Sequence, residues 1–167
     1  MAKFGKMREV RDFVDYGSGF PVIVDRVQTV PWGKDDEIII MDHGRFPEAV
    51  LRALAEKPTR LTGNEVRFLR LHYEMPLAEF GKLFDVSHPA VKKWEGKRDV
   101  VTGMAWSTEV LIRLFVLNRL GVKARAFQQI YKGLAPPRPA GPCTIQVDLD
   151  VDPPRISYTD EPVAEAS

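Results

Sequence analysis

The sequence has little of what usually marks a metalloprotein, a membrane protein or a secreted protein. Its single cysteine, Cys143, cannot form an internal disulfide, and its three histidines stand at scattered positions without zinc-ligand spacing. The longest apolar stretch, near 110–117, is interrupted by Arg113 and falls far short of the roughly 20 residues of a membrane span. The amino-terminal segment has no signal-peptide core. We therefore expect no metal, no membrane partner and a cytoplasmic location.

Catalytic motifs are also missing from the sequence. It contains no glycine-rich phosphate loop, nucleophile elbow or HExxH helix. The stretch DLDVD (148–152) resembles the start of a calcium loop, but Pro153 stands where glycine is required and Thr159 where glutamate is required. His43 has no second ligand nearby, and Cys143 carries no nucleophile signature. We expect no enzymatic activity and no cofactor.

Charge is nearly balanced over the whole chain but uneven along it. The net charge of +1 divides into −2 over 1–56 (8 basic, 10 acidic), +6 over 57–125 (13 and 7) and −3 over 126–167 (3 and 6). A local basic excess favours a polyanion such as nucleic acid, although a patch of this size is also compatible with an ordinary solvated face. Residues 57–125 are therefore the best candidate for a nucleic-acid interface.

The first part of the chain has the pattern of a small β-hairpin followed by a helix. Residues 1–13 are polar with scattered apolar positions and suggest a loose arm or a short helix. The segments 20–30 and 37–41 are rich in β-branched residues and are separated by PWGKDD, which predicts a hairpin. Apolar residues at helical spacing then predict a helix at 46–56, ended by Pro58. We take 1–58 as the first unit.

The remaining chain is predicted to be helical up to a proline-rich linker. Thr62 and Glu65 form a capping box at the start of one helix, and further helices are expected at 107–120 and 123–132. Four prolines in 135–142 indicate an extended linker, and the strict alternation of TIQVDLDVD predicts a half-buried strand at 144–152, for which we favour pairing with the hairpin. These features divide the chain into units 59–133 and 134–167.

Residues 76–96 carry the pattern of a helix–turn–helix motif. Pro76 opens a helix, Gly81 lets two helices approach closely, and Ser87 caps a second helix that Gly96 ends. Val91 and Trp94 are spaced to pack inward behind this second helix. Three short helices with tight turns are therefore expected between Thr62 and Gly96.

The run LAEFGKLFDVSHPAVKKWEG (77–96) closely resembles the Xre-type, lambda-repressor-like helix–turn–helix family. Together with LTGNEVRFLR (61–70) and the preceding hairpin, it is more narrowly similar to DNA-binding antitoxins and regulators of the MqsA/YgiT type, over roughly residues 20–120. The resemblance implies a mainly α fold within an α+β chain. It would be a lambda-repressor-like helix–turn–helix bundle with a small N-terminal hairpin and helix and a C-terminal strand.

The sequence departs from the family pattern at several positions. Leu77 stands where the family often has a glutamine that touches phosphate, and Asp85 replaces the usual turn glycine. Aspartate tolerates a left-handed backbone, so we expect the turn to survive. WEG is one residue shorter than the family's W-E-x-G, and the zinc-binding CxxC pairs of the MqsA amino-terminal domain are absent.

The helix–turn–helix hypothesis assigns roles to particular side chains. With Val91 and Trp94 inside, the second helix presents His88, Pro89, Lys92 and Lys93 outward, where they would reach base edges in the major groove of double-stranded DNA. The predicted contacts to the DNA backbone come from Ser87, Lys97, Arg98, Arg67 and Arg70. Solubilising surface charge is the alternative interpretation, above all for Arg67 and Arg70.

Two functions follow from the sequence as hypotheses. The first is a sequence-specific transcriptional regulator, an antitoxin-like autorepressor that acts as a homodimer, with a toxin protein as partner by analogy. The second is a protein-interaction module that keeps the helix–turn–helix shell but no longer binds DNA. For dimerisation, the apolar face of helix 107–120, which includes Leu111 and Leu117, is one candidate, although core packing also accounts for most of that face.

Overall fold

A five-stranded mixed sheet is the frame on which the helices are arranged. The computed structural model describes residues 6–34, 36–133, 141, 143–161 and 163. In chain order the elements are β1 (Arg8–Asp15), β2 (Val22–Trp32), β3 (Asp36–Ile40), α1 (Arg45–Glu56), α2 (Gly63–His72), α3 (Leu77–Leu83), α4 (His88–Glu95), α5 (Trp106–Arg119), α6 (Ala124–Gly133), β4 (Thr144–Asp148) and β5 (Arg155–Thr159).

The expected fold class was wrong. The protein is an α+β structure with 40% helix and 25% strand, and it is not a mainly α, lambda-repressor-like bundle. Two strands were missed, β1 and β5, and together they widen the predicted hairpin and strand into a full sheet. In β1, five of the eight residues are charged, because β1 is a sheet edge with much of its surface in water. The period-2 apolar signal is therefore weak, and over residues 8–13 the expected arm or short helix was also wrong.

β2 is the centre of the sheet and contacts three other strands. It pairs antiparallel with β1 and with β3, which confirms the predicted hairpin, and it pairs parallel with β4 through Val22–Ile145 and Val24–Val147. The predicted pairing of the C-terminal strand with the hairpin is thus confirmed. β4 ends at Asp148 instead of 152, it is paired on both edges by β2 and β5, and four of its five residues are buried. The expectation of a half-buried strand was therefore wrong for β4.

α1 is buried between the sheet and α5. Seven of its residues are buried, from Phe46 to Ala55, which is more than one helix face can hold. On the sheet side the hydroxyl of Tyr158 in β5 donates to the Ala53 carbonyl oxygen at 2.8 Å. At its amino-terminal end, Arg45 donates to the carbonyl oxygens of Leu149 and Val151 at 3.0 and 2.7 Å. The predicted helix at 46–56 is confirmed.

A buried ionic network joins the end of α1 to α2 and α5. Lys57 contacts Glu65 of α2 at 2.7 Å, with both side chains at most 5% exposed. Arg113 and Glu109 of α5 form a fully buried pair at 2.8 Å, and Glu109 also accepts from Arg60 at 2.6 Å. The Lys57–Glu65 pair crosses the boundary expected at residue 58, as do the hydrogen bonds from Arg113 to the carbonyl oxygens of Leu54, Ala55 and Lys57. The hydrophobic core likewise includes residues on both sides, from Phe20 to Val147.

Two absences hold for the described part of the chain. None of its helices combines the length and the apolarity that a membrane crossing requires. No group of three or more His, Cys, Asp and Glu side chains is placed to hold a metal ion. The predicted linker at 135–142 lies outside the described residues, apart from Gly141.

Candidate nucleic-acid interface

The start of α2 is fixed by the capping box that the sequence predicts. The Thr62 hydroxyl oxygen accepts from the Glu65 backbone N–H at 3.4 Å, and the Glu65 carboxylate accepts from the Thr62 backbone N–H at 2.8 Å. The two bonds satisfy donors that a helix start leaves unpaired. The same Glu65 carboxylate holds Lys57, so α2 is anchored to the body of the protein at this end.

The turn between α3 and α4 depends on Gly81 and Asp85. A side chain on Gly81 would place its Cβ 2.5 Å from the Val86 carbonyl oxygen, so only glycine permits this approach. The Val86 N–H donates to the Gly81 carbonyl oxygen at 2.9 Å, and Asp85 has the left-handed φ of 55°. The predicted close approach and the predicted tolerance of aspartate in the turn are both confirmed.

α4 has the predicted inner and outer faces. Ser87 caps it by accepting from the Ala90 N–H at 3.3 Å, and Pro89 lies in the first turn. Val91 is 0% and Trp94 8% exposed, whereas His88, Pro89, Lys92 and Lys93 are all exposed. The predicted helix register is confirmed. That these four side chains contact bases stays a prediction.

The C-terminal end of α4 is tied to α2 by Arg70. Its guanidinium donates to both carboxylate oxygens of Glu95 at 2.6 and 3.0 Å and to the Met75 carbonyl oxygen at 2.8 Å. The hydrogen bonds with Glu95 raise the pKa of Arg70 above its usual value. With its side chain only 12% exposed, Arg70 positions α4 and is poorly placed for a phosphate contact. Arg67 is exposed and remains a candidate for the DNA backbone.

Gly63 brings the start of α2 against the end of α4. A Cβ at this position would meet the Trp94 carbonyl oxygen at 2.4 Å and the Arg98 nitrogen at 2.7 Å. The Asn64 backbone N–H donates to the Arg98 carbonyl oxygen at 2.9 Å. Lys97 and Arg98 are thus exposed cations on a backbone held by α2. Sequence reasoning missed Gly63; its signal was a glycine directly after an N-cap residue, where a better helix former is expected.

The surface around α4 has an excess of positive charge. Between residues 79 and 99 the exposed charged side chains are Lys82, Lys92, Lys93, Lys97 and Arg98 against Glu79, Asp85 and Asp99, because Glu95 is paired with Arg70. Five cations against three carboxylates favour the approach of a polyanion. Lys82, in the last turn of α3, was not singled out from the sequence.

Other candidate groups lie away from α4. His43 is exposed in the loop before α1. Cys143 precedes β4, and burial raises the pKa of its thiol from the usual 9.0, which lowers the fraction of reactive thiolate. Neither His43 nor Cys143 belongs to the group of exposed cations around α4.

Comparisons of the chain with protein-family models, curated proteins and solved structures gave no match. Its function is therefore inferred from its own residues and their geometry.

Proposed function

We propose that this protein binds double-stranded DNA in a sequence-specific manner, with α4 in the major groove, and acts as a transcriptional regulator. The observation that carries the proposal is the outer face of α4. His88, Pro89, Lys92 and Lys93 project into solvent from a helix whose other face is held by buried Val91 and Trp94. In helix–turn–helix proteins the recognition helix packs its inner face on the core and presents the side chains of its exposed outer face to base pairs. α4 has this arrangement.

The chemistry of these four side chains fits base edges. Lysine donates hydrogen bonds to the O6 and N7 acceptors of guanine, and histidine at the start of a helix reaches either bases or phosphate. Pro89 offers an apolar surface of the kind that contacts the thymine methyl group. The anchors at both ends of α4, Ser87 and the Arg70–Glu95 pair, limit its freedom to rotate away from the groove.

The flanking cations fit the phosphate backbone. Lys97 and Arg98 follow α4 directly, Arg67 lies on α2, and the exposed hydroxyl of Ser87 is at the start of α4. Contacts to phosphate require only reach and charge, and they orient a protein on the duplex without reading sequence. Arg70 leaves the set that the sequence suggested, since its side chain is largely buried and donates to Glu95 and Met75.

The narrower form of the proposal is an antitoxin-like autorepressor. It draws on the resemblance of residues 61–70 and 77–96 to regulators of that type. In this form the protein works as a homodimer in the cytoplasm, beside the DNA it controls, and a toxin protein is its second partner.

DNA binding is tested by fluorescence anisotropy with the duplex upstream of the protein's own gene and with a random duplex of equal length. We expect tighter binding to the first, and a steep loss of affinity with added salt because each phosphate contact releases counterions. Equal, weak and salt-insensitive binding to both duplexes would contradict the proposal and favour the protein-interaction module.

Single substitutions assign the roles on α4. Lys92→Ala and Lys93→Ala should each weaken binding to the specific duplex by about 1–3 kcal/mol if the lysine contacts a base, with little effect on the random duplex. Lys123→Ala removes an exposed lysine between α5 and α6 and is the matched control, for which we expect no change. An equal loss on both duplexes would assign that lysine to phosphate.

Stability measurements separate contact from packing. Val91→Ala should lower the free energy of unfolding by roughly 1–3 kcal/mol because a fully buried side chain loses contacts, whereas Lys92→Ala should leave it unchanged. Chemical denaturation of both variants makes the comparison. A Val91→Ala protein as stable as the parent would show that α4 is not anchored in this way.

A further inference from the structure

One face of the β1–β2–β3 sheet region is apolar but is turned away from the core. Thr29 and Ile39 are cross-strand partners; Thr29 is buried and Ile39 packs on the core. Because successive strand side chains alternate, the partners Val30 and Ile38 lie on the opposite face. We call this surface the hairpin patch; its exposed members are Met7, which directly precedes β1, Trp32, Ile38 and Ile40, and they surround Val30, which is only 8% exposed.

The hairpin patch holds an unusual share of the exposed apolar surface. Met7, Trp32, Ile38 and Ile40 are 54%, 53%, 43% and 47% exposed, and they are four of the nine large hydrophobic residues that are exposed among those described. By residue size they present about 400 Å² of apolar surface, within the roughly 300–600 Å² that on monomers often marks an interaction site. A solvent-facing strand normally carries polar residues at such positions.

Several of the charges that border the patch are paired within the chain. The pairs are Arg11 with Glu9 at 3.2 Å, Arg26 with Asp150 at 2.8 Å and Arg8 with Glu37 at 2.8 Å. Lys34 and Asp36, the cross-strand partner of Trp32, are exposed at the border and form no ion pair among the described residues. Since the border carries both signs and much of its charge is paired, a partner selected by charge of one sign, such as a nucleic acid, is poorly matched. A largely apolar surface with the same composition is the better complement.

The area of the hairpin patch is also suitable for a dimer interface. A standard interface takes about 800 Å² from each partner, so an apolar centre of about 400 Å² with its polar border is of the right size. The sheet edge is a poorer contact, because β1 carries five charged residues among its eight, which oppose edge-to-edge pairing.

We propose that the hairpin patch packs against the same patch of a second copy of this chain about a two-fold axis. The two sheets would lie face to face about 10 Å apart, with their strands roughly aligned. The contact is isologous, so Ile38 and Trp32 of each copy pack against the hairpin patch of the other. This dimerisation does not depend on DNA binding, although a two-fold dimer would carry two copies of α4 toward two half-sites.

The test is the mass and dissociation constant of the full-length protein without DNA, measured by sedimentation equilibrium. We expect a species of twice the 18.9 kDa chain mass. Ile38→Lys should raise the dimer dissociation constant by roughly a hundredfold or more, because it places a charge on each side of an apolar contact. Leu111→Lys, at a somewhat more exposed apolar position on α5, is the control and should leave the dimer intact.

A milder variant guards against misfolding. The double substitution Ile38→Thr with Ile40→Thr keeps β-branched residues in the strand while removing apolar surface, so the fold is retained and the dimer is weakened at least tenfold. A monomeric parent protein, or a dimer that resists both hairpin variants, would overturn the inference, as would a dimer broken by Leu111→Lys alone. A dimer that binds no DNA would contradict only the proposed DNA binding. A DNA-binding monomer would contradict this inference and the homodimer of the antitoxin-like form, but not DNA binding itself.

Discussion

At the scale of single residues, Arg113 does more for the fold than its place in the sequence suggests. Its side chain is 0% exposed and donates to the carbonyl oxygens of Leu54, Ala55, Lys57 and Thr59 and to Glu109. The last carbonyl groups of a helix have no partner within it, and the five N–H donors of a guanidinium can supply several at once. Arg113 thus completes the end of α1 from α5.

We expect Arg113→Met to lower the free energy of unfolding by about 3 kcal/mol or more. The substitution leaves the Glu109 carboxylate short of a partner inside the protein and removes donors from buried carbonyl groups. Denaturant titration followed by circular dichroism measures the loss. Arg52→Met is the control, since Arg52 forms only a partly exposed pair with Glu56 and should cost less than about 1 kcal/mol. Similar losses in both variants would refute the structural role of Arg113.

At the scale of elements, the angle between α3 and α4 is set by backbone contact at Gly81. Because Gly81 has no Cβ, the α3 backbone lies directly against the Val86 carbonyl oxygen. Asp85, in the left-handed conformation, turns the chain between the two helices. The orientation of the proposed recognition helix is therefore a property of the turn as much as of the buried Val91 and Trp94.

Gly81→Ala should destabilise the protein by roughly 1–3 kcal/mol, because the added methyl group clashes with backbone that cannot easily move. We also expect weaker DNA binding from the folded fraction, as α4 is displaced. Gly96→Ala is the control: Gly96 has φ of −65° and an added Cβ would meet atoms no closer than 3.4 Å. Thermal melts in parallel decide the matter, and a Gly81→Ala melting temperature equal to that of the parent would contradict the proposed clash.

At the scale of the whole molecule, the sheet and the helices share one interior. Buried Val22 and Val24 of β2, the residues of α1, and Val91 and Trp94 of α4 belong to one continuous hydrophobic cluster. The buried pair Lys57–Glu65 and the hydrogen bonds from Arg113 to the carbonyl oxygens of Leu54, Ala55 and Lys57 cross the junction between the hairpin part and the helical part. Separate unfolding of either part would expose uncompensated charge and apolar surface.

We therefore expect one cooperative unfolding transition. Differential scanning calorimetry should give a calorimetric enthalpy equal to the van't Hoff enthalpy per cooperative unit, and tryptophan fluorescence should follow the same curve as circular dichroism. Trp32 reports on the sheet, and Trp94 and Trp106 report on the helices. Two separated transitions would show that the units expected at 1–58 and 59–133 fold independently.

What the sequence alone determined was local. The capping box of Thr62 and Glu65, the cap at Ser87, the register of Val91 and Trp94 in α4, and the β2–β3 hairpin each depend on residues within about one helix turn or one hairpin of each other. Their physical causes, hydrogen bonds to nearby backbone and apolar periodicity, are therefore visible in short stretches of sequence. The outward position of His88, Pro89, Lys92 and Lys93 followed from the same signals.

Tertiary structure decided the rest. Pairing of the C-terminal strand with the hairpin was expected, but the parallel register of β4 on β2 across more than a hundred residues was not, nor was β5 beside β4. The sheet also turns the charged stretch 8–15 into an edge strand, whose pattern alone did not predict a strand. Arg70 and Arg113 look like surface cations in the sequence, yet contact with Glu95 and Glu109 makes them structural. Which strands meet, and which ions find partners, depends on groups distant in the chain, and no local pattern encodes such meetings.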